Sequence, residues 1–279
     1  MGKSTLLNRF VGRKVAIVSD KPQTTRNRIL GILATEDAQT IFIDTPGIHK
    51  PRHKLGAYMT RIARETLEEV DLAIYVADAS VSAGAGEEYI IGQLRELSTP
   101  VLLVLNKIDL IEKQELLPLI DWFSRRFDFQ DIVPVSALTA ENLDILKELI
   151  ASNLKEGPFY YPAEMVTDQP EIFVAAEVIR EKVLCLTWEE VPHAVAVVVE
   201  DMQERRNGLL YIGAAVYVER ESQKGILIGR GGGMLKEIGK LARQELEALY
   251  GNRVFLELWV KVKKDWRDDE TALRSFGYE

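Results

Sequence analysis

The 279-residue chain has few of the residues that build disulfides or metal centres. Its single cysteine, Cys185, excludes an internal disulfide, and its three histidines do not stand at metal-ligand spacing from that thiol. No apolar run approaches the roughly 20 residues that a membrane-spanning helix needs, and the start carries no signal-peptide pattern. We therefore expect a cytoplasmic protein without a structural metal, and the length predicts two domains.

The chain also lacks an excess of positive charge. Its formal net charge of -8 argues against uniform coating of nucleic acid, because phosphate binding needs positive potential. Between Lys224 and Arg267, however, basic residues outnumber acidic ones. The C-terminal part could therefore contact a polyanion locally.

The first half of the sequence alternates short apolar runs with stretches of helical period. We predict strands at 40–43, 72–77, 101–105 and 132–135, and helices at 56–69, 87–97, 114–127 and 142–154. Runs that are apolar on both faces indicate a sheet buried between helical layers, which predicts a doubly wound α/β domain. A polar residue follows each run, so we expect Asp44, Asp78, Asn106 and Ser136 at the carboxyl edge of the sheet, where ligands bind.

The second half has a different pattern. Periodicity stops near 155–158, so we predict a domain at 1–155, a linker at 156–171 and a second domain at 172–279. Within the second domain we predict a helix at 172–186, and a hairpin of strands 193–200 and 210–220 around Asn207 and Gly208. A helix at 234–249 and an alternating strand at 254–262 complete a smaller α+β domain.

The segment Asn106-Lys107-Ile108-Asp109 follows the most apolar of the predicted strands. A carboxylate such as that of Asp109 can accept hydrogen bonds from N1-H and the exocyclic amine of guanine, a donor pair that adenine lacks. Asn106 would meet the carbonyl edge of the base or tie neighbouring loops together, and the Lys107 stem would lie along the face of the base. A nucleotide bound here should therefore carry guanine.

Two further motifs are typical of phosphate and metal binding. Gly2-Lys3-Ser4-Thr5 opens a helix, where Lys3 would reach the β and γ phosphates and Ser4 would bind Mg²⁺. Asp44-Thr45-Pro46-Gly47 follows a strand, where Asp44 would hold Mg²⁺ through a water and the Gly47 amide would meet a γ-phosphate. Taken alone, the first could be an ordinary helix start and the second an ordinary turn.

Two loops complete the predicted site. The polar loop 21–28 contains Thr24 and Thr25, and a threonine hydroxyl there, assigned to Thr25, could complete the metal shell when a γ-phosphate is present. Ser136 and Ala137 follow the last strand, where a backbone amide could contact the guanine carbonyl. Each loop alone is a weak signal, but the order of all these motifs along the chain favours a GTP site. No catalytic residue is assigned beyond the two threonines.

Ile48 occupies the position where many GTPases place a glutamine that orients the attacking water. An apolar side chain cannot polarise water. We therefore predict slow intrinsic hydrolysis that depends on another loop, a K⁺-like ion or a partner.

A glycine-rich segment, Gly229-Arg230-Gly231-Gly232, follows Ile228. This I-G-x-x-G form is typical of KH modules, which clamp a backbone of about four nucleotides. Lys236, Lys261 and Lys263 could extend the nucleic-acid surface, although such lysines often belong to a solvated edge. The alternatives for the loop are a flexible connector and a second phosphate loop.

Together these residues resemble the Era family of bacterial GTPases. The resemblance rests on GKST, QTTR, DTPG, NKID, VSA and IGRGG, in that order, and covers essentially the whole chain from residue 2. It implies a P-loop GTPase domain followed by a type II KH domain, GTP hydrolysis with Mg²⁺, and binding to the 3′ end of 16S ribosomal RNA during 30S assembly. Peripheral association with the inner membrane is implied by the resemblance alone, and we expect a monomer.

The family's first strand and the first half of its phosphate loop do not precede Gly2 in this sequence. We therefore expect an N-terminally truncated form, and expect the upstream segment to raise GTP affinity. Two alternatives to a GTP-controlled RNA-binding switch stay open at this point. One is an RNA-binding assembly factor without effective hydrolysis, and the other is a membrane-signalling GTPase with an incidental KH fold.

Overall fold

The computed structural model describes residues 1–206 and 208–278 and divides them into two compact units. The first unit contains residues 1–16, 25–50 and 59–168, and the second contains residues 17–24, 51–58 and 169 onward. Both units are therefore discontinuous in sequence, which the predicted domain limits do not anticipate. Asn207, predicted in a turn, lies outside the described residues, as does Glu279 at the end of the predicted second domain.

The first unit contains the predicted alternation of strands and helices. Its strands are β1 Ile29–Ala34, β2 Gln39–Asp44, β3 Ala73–Asp78, β4 Val101–Asn106 and β5 Asp131–Val135. Its helices are α1 Lys3–Val11, α3 Ala85–Leu94, α4 Lys113–Ser124 and α5 Leu143–Ser152, and α2, Lys54–Glu69, runs from residues of the second unit into this one.

The strands of the first unit form two sheets. β3, β4 and β5 are parallel, with Asp78, Asn106 and Val135 at the same level of the register, so Asp78, Asn106 and the following Ser136 lie at the predicted carboxyl edge. Asp44, predicted at the same edge, ends β2 in the other sheet. β4 is buried along its whole length, as its unbroken apolar run requires. β2 instead pairs with β1, an antiparallel strand that sequence patterning misses. A cavity of about 1010 Å³ is lined by residues of both β2 and β3.

The segment predicted as a linker is held against the first unit. Gln39 Nε2 donates to the carbonyl of Tyr161 at 2.8 Å, and the amide of Ile32 donates to the carbonyl of Val166 at 2.9 Å. Thr167 Oγ1 donates to the carbonyl of Leu30 at 2.7 Å. These bonds run along β1 and β2, so the segment is ordered by backbone and side-chain hydrogen bonds.

The second unit has the order helix, strand, strand, helix, helix, strand around one core. Its main elements are α6 Glu171–Leu186, β6 Ala196–Glu204, β7 Leu210–Val218, α8 Glu221–Ile228, α9 Gly233–Tyr250 and β8 Val254–Val262, with the short helices α7 Val191–Ala194 and α10 Glu270–Ser275. β6 and β7 form the predicted antiparallel hairpin, and β8 lies parallel to β7. Even-numbered residues of β8 face the core, while Phe255 and Trp259 on the opposite face are exposed.

One prediction for this unit is corrected, and one helix was not predicted. The strand predicted from His193 begins at Ala196, because residues Val191–Ala194 form a one-turn helix with Pro192 near its start. The residues before Gly229 form α8, to which the sequence analysis assigned no element because Gly225 weakens the helical pattern.

Candidate functional site

The three residues predicted to hold a metal meet in the first unit. Ser4 Oγ donates to Asp44 Oδ2 at 2.6 Å, and Thr25 Oγ1 donates to the same oxygen at 3.1 Å. The two hydroxyl oxygens are 3.0 Å apart. Ser4 lies in the first turn of α1, Asp44 ends β2, and Thr25 is buried in the loop before β1. Three distant segments therefore bring their oxygen atoms to one point.

This cluster fits the chemistry of Mg²⁺. Asp44 Oδ1 is buried and has no hydrogen-bond partner among the described residues. A buried carboxylate oxygen without a partner is costly, and a hard cation with oxygen ligands satisfies it. Mg²⁺ would thus be held by the Ser4 and Thr25 hydroxyls and by Asp44, directly or through a water.

The two switch-loop threonines have different surroundings. Thr25 joins the cluster, whereas Thr24 Oγ1 donates to the carbonyl of Lys21 at 2.6 Å within the second unit. Thr25 is therefore the threonine that lies beside Asp44.

The start of α1 supplies the surroundings expected for phosphate. Gly2 precedes the helix at φ 95°, and a Cβ on it would collide with Asn106 Nδ2. A Cβ built on Gly47 would lie 3.9 Å from Lys3 Nζ, so the two predicted phosphate motifs are neighbours. Free amides at a helix N-terminus attract anions. Thr5 follows in the same turn, and Thr45 and Pro46 lie in the loop after β2.

Asn106 ties neighbouring loops together, one of the two roles weighed for it. Its Oδ1 accepts a 2.9 Å bond from the Ala137 amide, and its Nδ2 donates to the Met1 carbonyl at 2.7 Å. The Ala137 amide, predicted to contact a base, is therefore engaged by Asn106 here. Ser136 is fully buried, and its Oγ accepts a bond from the Thr139 amide.

The base-reading segment leaves β4 through a left-handed residue. Lys107 has φ 71°, and its Nζ forms a 2.5 Å ion pair with Asp78 Oδ2. Burial acts to raise the pKa of Asp78, but hydrogen bonds from Lys107 and Ser80 outweigh it and lower the pKa to about 2. Asp109 is exposed in the 3-10 helix Ile108–Leu110, so its carboxylate is open to solvent at the edge of the sheet.

The second predicted site is the glycine loop between α8 and α9. Gly229, Gly231 and Gly232 all have positive φ, and a Cβ on Gly229 would lie 2.8 Å from the Cβ of Met234. Arg230 is exposed, and so is Lys236 in the first turns of α9. The backbone thus turns sharply and is accessible, as a nucleic-acid clamp requires.

Two predicted RNA contacts lie elsewhere. Lys261 and Lys263 are exposed odd-numbered residues on the β8 strand and its end, away from the face that packs on α9. Lys261 pairs with Glu200 at 2.6 Å and Lys263 with Asp269 at 3.7 Å. The structure therefore does not bring them together with the glycine loop.

Sequence patterning missed a buried group of charges in α6. Arg180 and Glu181 are 1% and 3% exposed, and both bond to the loop 17–24 that precedes Thr25. Three consecutive charged residues, 180–182, stand among apolar residues of this helix, and that pattern could have indicated buried ion pairs.

Fold and site together define a class. Phosphate and metal motifs beside a sheet edge that carries the guanine motif, followed by a helix-strand-strand-helix-helix-strand unit with a GxxG loop, are typical of a guanine-nucleotide-binding protein that carries a KH module.

Comparison with known proteins is specific. Residues 1–107 match the family described as 50S ribosome-binding GTPase, and residues 190–267 match the KH domain family. The GTPase Era of Heliobacterium modesticaldum is 56% identical over all 279 residues, which cover 93% of that protein. The chain therefore belongs to the Era family of GTPases.

Solved structures of the family have the same fold. Aquifex aeolicus Era Y63A bound to GDP.AlF4- is 44% identical, with a TM-score of 0.95 over 99% of this chain and 95% of that one. Era in complex with MgGDPNP and nucleotides 1506–1542 of 16S ribosomal RNA is also 44% identical, with a TM-score of 0.96 over 99% of this chain and 94% of that one.

Proposed function

We propose that this protein is a slow GTPase switch that binds 16S ribosomal RNA near its 3′ end and acts in 30S subunit assembly. The observation that carries the proposal is the meeting of Ser4, Thr25 and Asp44, with one buried Asp44 oxygen left for a cation. A relative of 44% identity holds MgGDPNP and an RNA segment together, which supports the combination of ligands.

Nucleotide recognition is assigned to the sheet edge. Lys3 and the amides of α1 hold the phosphates, and the DTPG loop reports the γ-phosphate through Gly47. Bound Mg²⁺ would neutralise phosphate charge and orient the β and γ oxygens. Ile48 offers no group to orient water, so we propose that hydrolysis is slow and assisted by a K⁺-like ion or by RNA. A kcat that changes neither when K⁺ is replaced by Li⁺ nor, in a separate measurement, when RNA is added would contradict this assistance.

Base selection tests the nucleotide assignment directly. We expect Asp109→Asn to weaken GTP binding roughly 100-fold, because an amide cannot accept from both guanine donors. The same variant should gain affinity for xanthosine triphosphate, whose carbonyl replaces the guanine amine and accepts from the new amide. Fluorescent-nucleotide titration measures both, with ATP as the control ligand. If the wild type does not distinguish GTP from ATP, the proposed function is wrong.

RNA binding is assigned to Gly229, Arg230, Gly231 and Gly232, with Lys236 beside them. The exposed Arg230 and the bare backbone of the glycines support close contact with a sugar-phosphate chain. We propose Lys261 and Lys263 as secondary RNA contacts on the face of β8 opposite the core.

The glycine at 231 allows a matched test of the RNA surface. Its φ of +60° is one that Asp and Asn tolerate, and a Cβ there meets nothing within 4 Å. We expect Gly231→Asp to reduce affinity for an oligonucleotide from the 16S 3′ end by tenfold or more through charge repulsion, whereas Gly231→Asn has a smaller effect. GTP binding should be the same in both. Equal RNA affinity of both variants and wild type would exclude this loop as the contact.

We propose a cytoplasmic monomer, since its RNA target is assembled there. In residues 1–206 and 208–278, no helix combines the length and hydropathy that crossing a membrane requires. Peripheral association with the inner membrane is tested by flotation with anionic vesicles, and protein that stays with the soluble fraction at low salt would contradict it.

A further inference from the structure

The loop that precedes the metal-site threonine is fastened to the helix α6 of the second unit. Arg180 Nη2 donates to the carbonyl of Thr24 at 2.5 Å, and Thr24 is joined by one peptide bond to Thr25. Six residues earlier, the amide of Val18 donates to Glu181 Oε1 at 2.8 Å. Adjacent residues of α6 thus hold both ends of the loop 17–24.

Burial and two bonds to Glu177 fix the position of the Arg180 guanidinium. It is 1% exposed, and Glu177 holds it through two bonds, from Nε at 2.7 Å and from Nη2 at 2.6 Å. A buried arginine held in this way has its fork fixed before it meets the Thr24 carbonyl. Burial acts to lower the pKa of Arg180, but Glu177, Tyr278 and Glu181 raise it overall, so the group is charged.

Ion pairs also link α6 to α9, the helix that follows the glycine loop. Lys182 Nζ pairs with Glu181 Oε2 at 2.6 Å and also with Glu245 of α9. Helix α9 begins at Gly233, directly after Gly229 to Gly232. An unbroken set of ion pairs and hydrogen bonds therefore runs from α9 through α6 to the loop 17–24.

We infer that Arg180 and Glu181 are positioning residues that hold the loop 17–24 so that the Thr25 hydroxyl stays at the Ser4 and Asp44 cluster. Neither residue belongs to the predicted nucleotide or metal ligands. Their effect on the metal passes through the Thr24 carbonyl and the Val18 amide. This inference rests on the proposed function only for its consequence in GTP binding, because the hold on the loop is a property of the protein alone.

A threonine that completes the metal shell only with a γ-phosphate present predicts a selective defect. Arg180→Met keeps the buried stem but removes the donor to the Thr24 carbonyl. We expect it to weaken Mg²⁺-dependent binding of a non-hydrolysable GTP analogue by about tenfold or more, the effect of one charge-assisted hydrogen bond. GDP affinity should change less than about twofold, since GDP has no γ-phosphate for Thr25 to report. Arg180→Lys should restore part of the loss through one remaining donor.

Arg267→Met is the matched control. Arg267 pairs with Glu219 at 2.5 Å in the same unit, yet it bonds to no residue of the loop 17–24 in the described structure. Loss of a similar ion pair without contact to the loop should leave the ratio of analogue to GDP affinity unchanged. A similar change of that ratio in both arginine variants would reduce the role of Arg180 to general stability.

Hydrogen-deuterium exchange of the nucleotide-free protein separates the two levels of the inference. Arg180→Met should raise amide exchange in residues 17–25 above that of wild type and Arg267→Met. Unchanged exchange there overturns the inference whether or not nucleotide binds. Raised exchange together with equal losses for the analogue and GDP would refute the selective role of Thr25, and a wild type indifferent to guanine would instead refute the proposed function.

Discussion

Ser4 and Thr25 are 21 positions apart in the chain and place their hydroxyl oxygens 3.0 Å from each other, both bonded to one oxygen of Asp44. Ser4 comes from the first turn of α1, whereas Thr25 comes from a loop without regular structure. One half of the cluster is thus fixed by a helix and the other by what holds the loop. A site of this kind can form and open without disturbing the sheet.

The loop half of the cluster is tested by removing a single hydroxyl. We expect Thr25→Val, which keeps the shape of the buried side chain, to weaken Mg²⁺-dependent binding of a GTP analogue about tenfold. Thr25→Ser retains the oxygen and should stay within about threefold of wild type. Calorimetric titration with and without EDTA measures both. Equal affinities of the two variants would show that the hydroxyl is not used.

Acid should weaken the first unit through Asp78. Its folded pKa of about 2 lies below the ordinary value of 3.8, so its bonds to Lys107 and Ser80 stabilise the fold above pH 3.8 and the contribution is lost as pH falls toward 2. The shift corresponds to about 2 kcal/mol, which solvent screening reduces to about 1 kcal/mol.

Urea unfolding across this pH range measures that contribution. Asp78→Asn should lower the free energy of unfolding at neutral pH and flatten its decline in acid. Asp144 forms an exposed ion pair with Lys147 and is the control, because Asp144→Asn should change the free energy of unfolding by less than about 0.5 kcal/mol. An acid profile of Asp78→Asn that parallels wild type would contradict the assignment.

Two glycines of the loop between α8 and α9 should differ sharply in their tolerance of alanine. Both have positive φ, but only at Gly229 would the added Cβ press against Met234, at 2.8 Å from its Cβ and 2.9 Å from its amide nitrogen. We expect Gly231→Ala to cost about 1 kcal/mol of stability and Gly229→Ala about 2 kcal/mol more. Thermal unfolding of the two variants compares them, and equal midpoints would show that the turn relaxes.

Gly31 lets α1 approach β1. A Cβ there would lie 2.5 Å from Leu7 Cδ1 and 2.9 Å from Val11 Cγ2. We expect Gly31→Ala to destabilise the first unit by about 1 to 3 kcal/mol through overpacking and to weaken nucleotide binding, because α1 carries Lys3 and Ser4. Gly92→Ala, in α3 with nothing within 4 Å, should instead stabilise by about 0.5 kcal/mol. The comparison fails if both substitutions act alike in thermal unfolding.

Much of the fold could be predicted from sequence because its strongest patterns coincide with buried elements. β4 is apolar at almost every position, and β8 alternates over nine residues, so both were located closely. β1 was missed because Gly31 interrupts its apolar run and a polar loop precedes it. α8 was missed for a similar reason, since Gly225 and Gly229 gave it the composition of a loop.

The site residues were predictable as motifs, but their supports were not. Ser4, Thr25 and Asp44 stand in short patterns with a fixed chemical meaning, and they do meet in the structure. Arg180 belongs to no motif. Its role depends on the backbone carbonyl of Thr24, more than 150 positions away, and no spacing rule predicts such a contact.

The buried charges of α6 hold the loop 17–24 at a cost in the stability of the fold. Arg180 and Glu177 replaced together by apolar residues of similar volume would leave no charge without a partner, and such exchanges are often neutral or stabilising by about 1 to 4 kcal/mol. Replacing either one alone strands the other. The doubly substituted protein would have a higher melting temperature but would lack the hydrogen bond to the Thr24 carbonyl. Selection for stability alone should therefore replace these charges of α6.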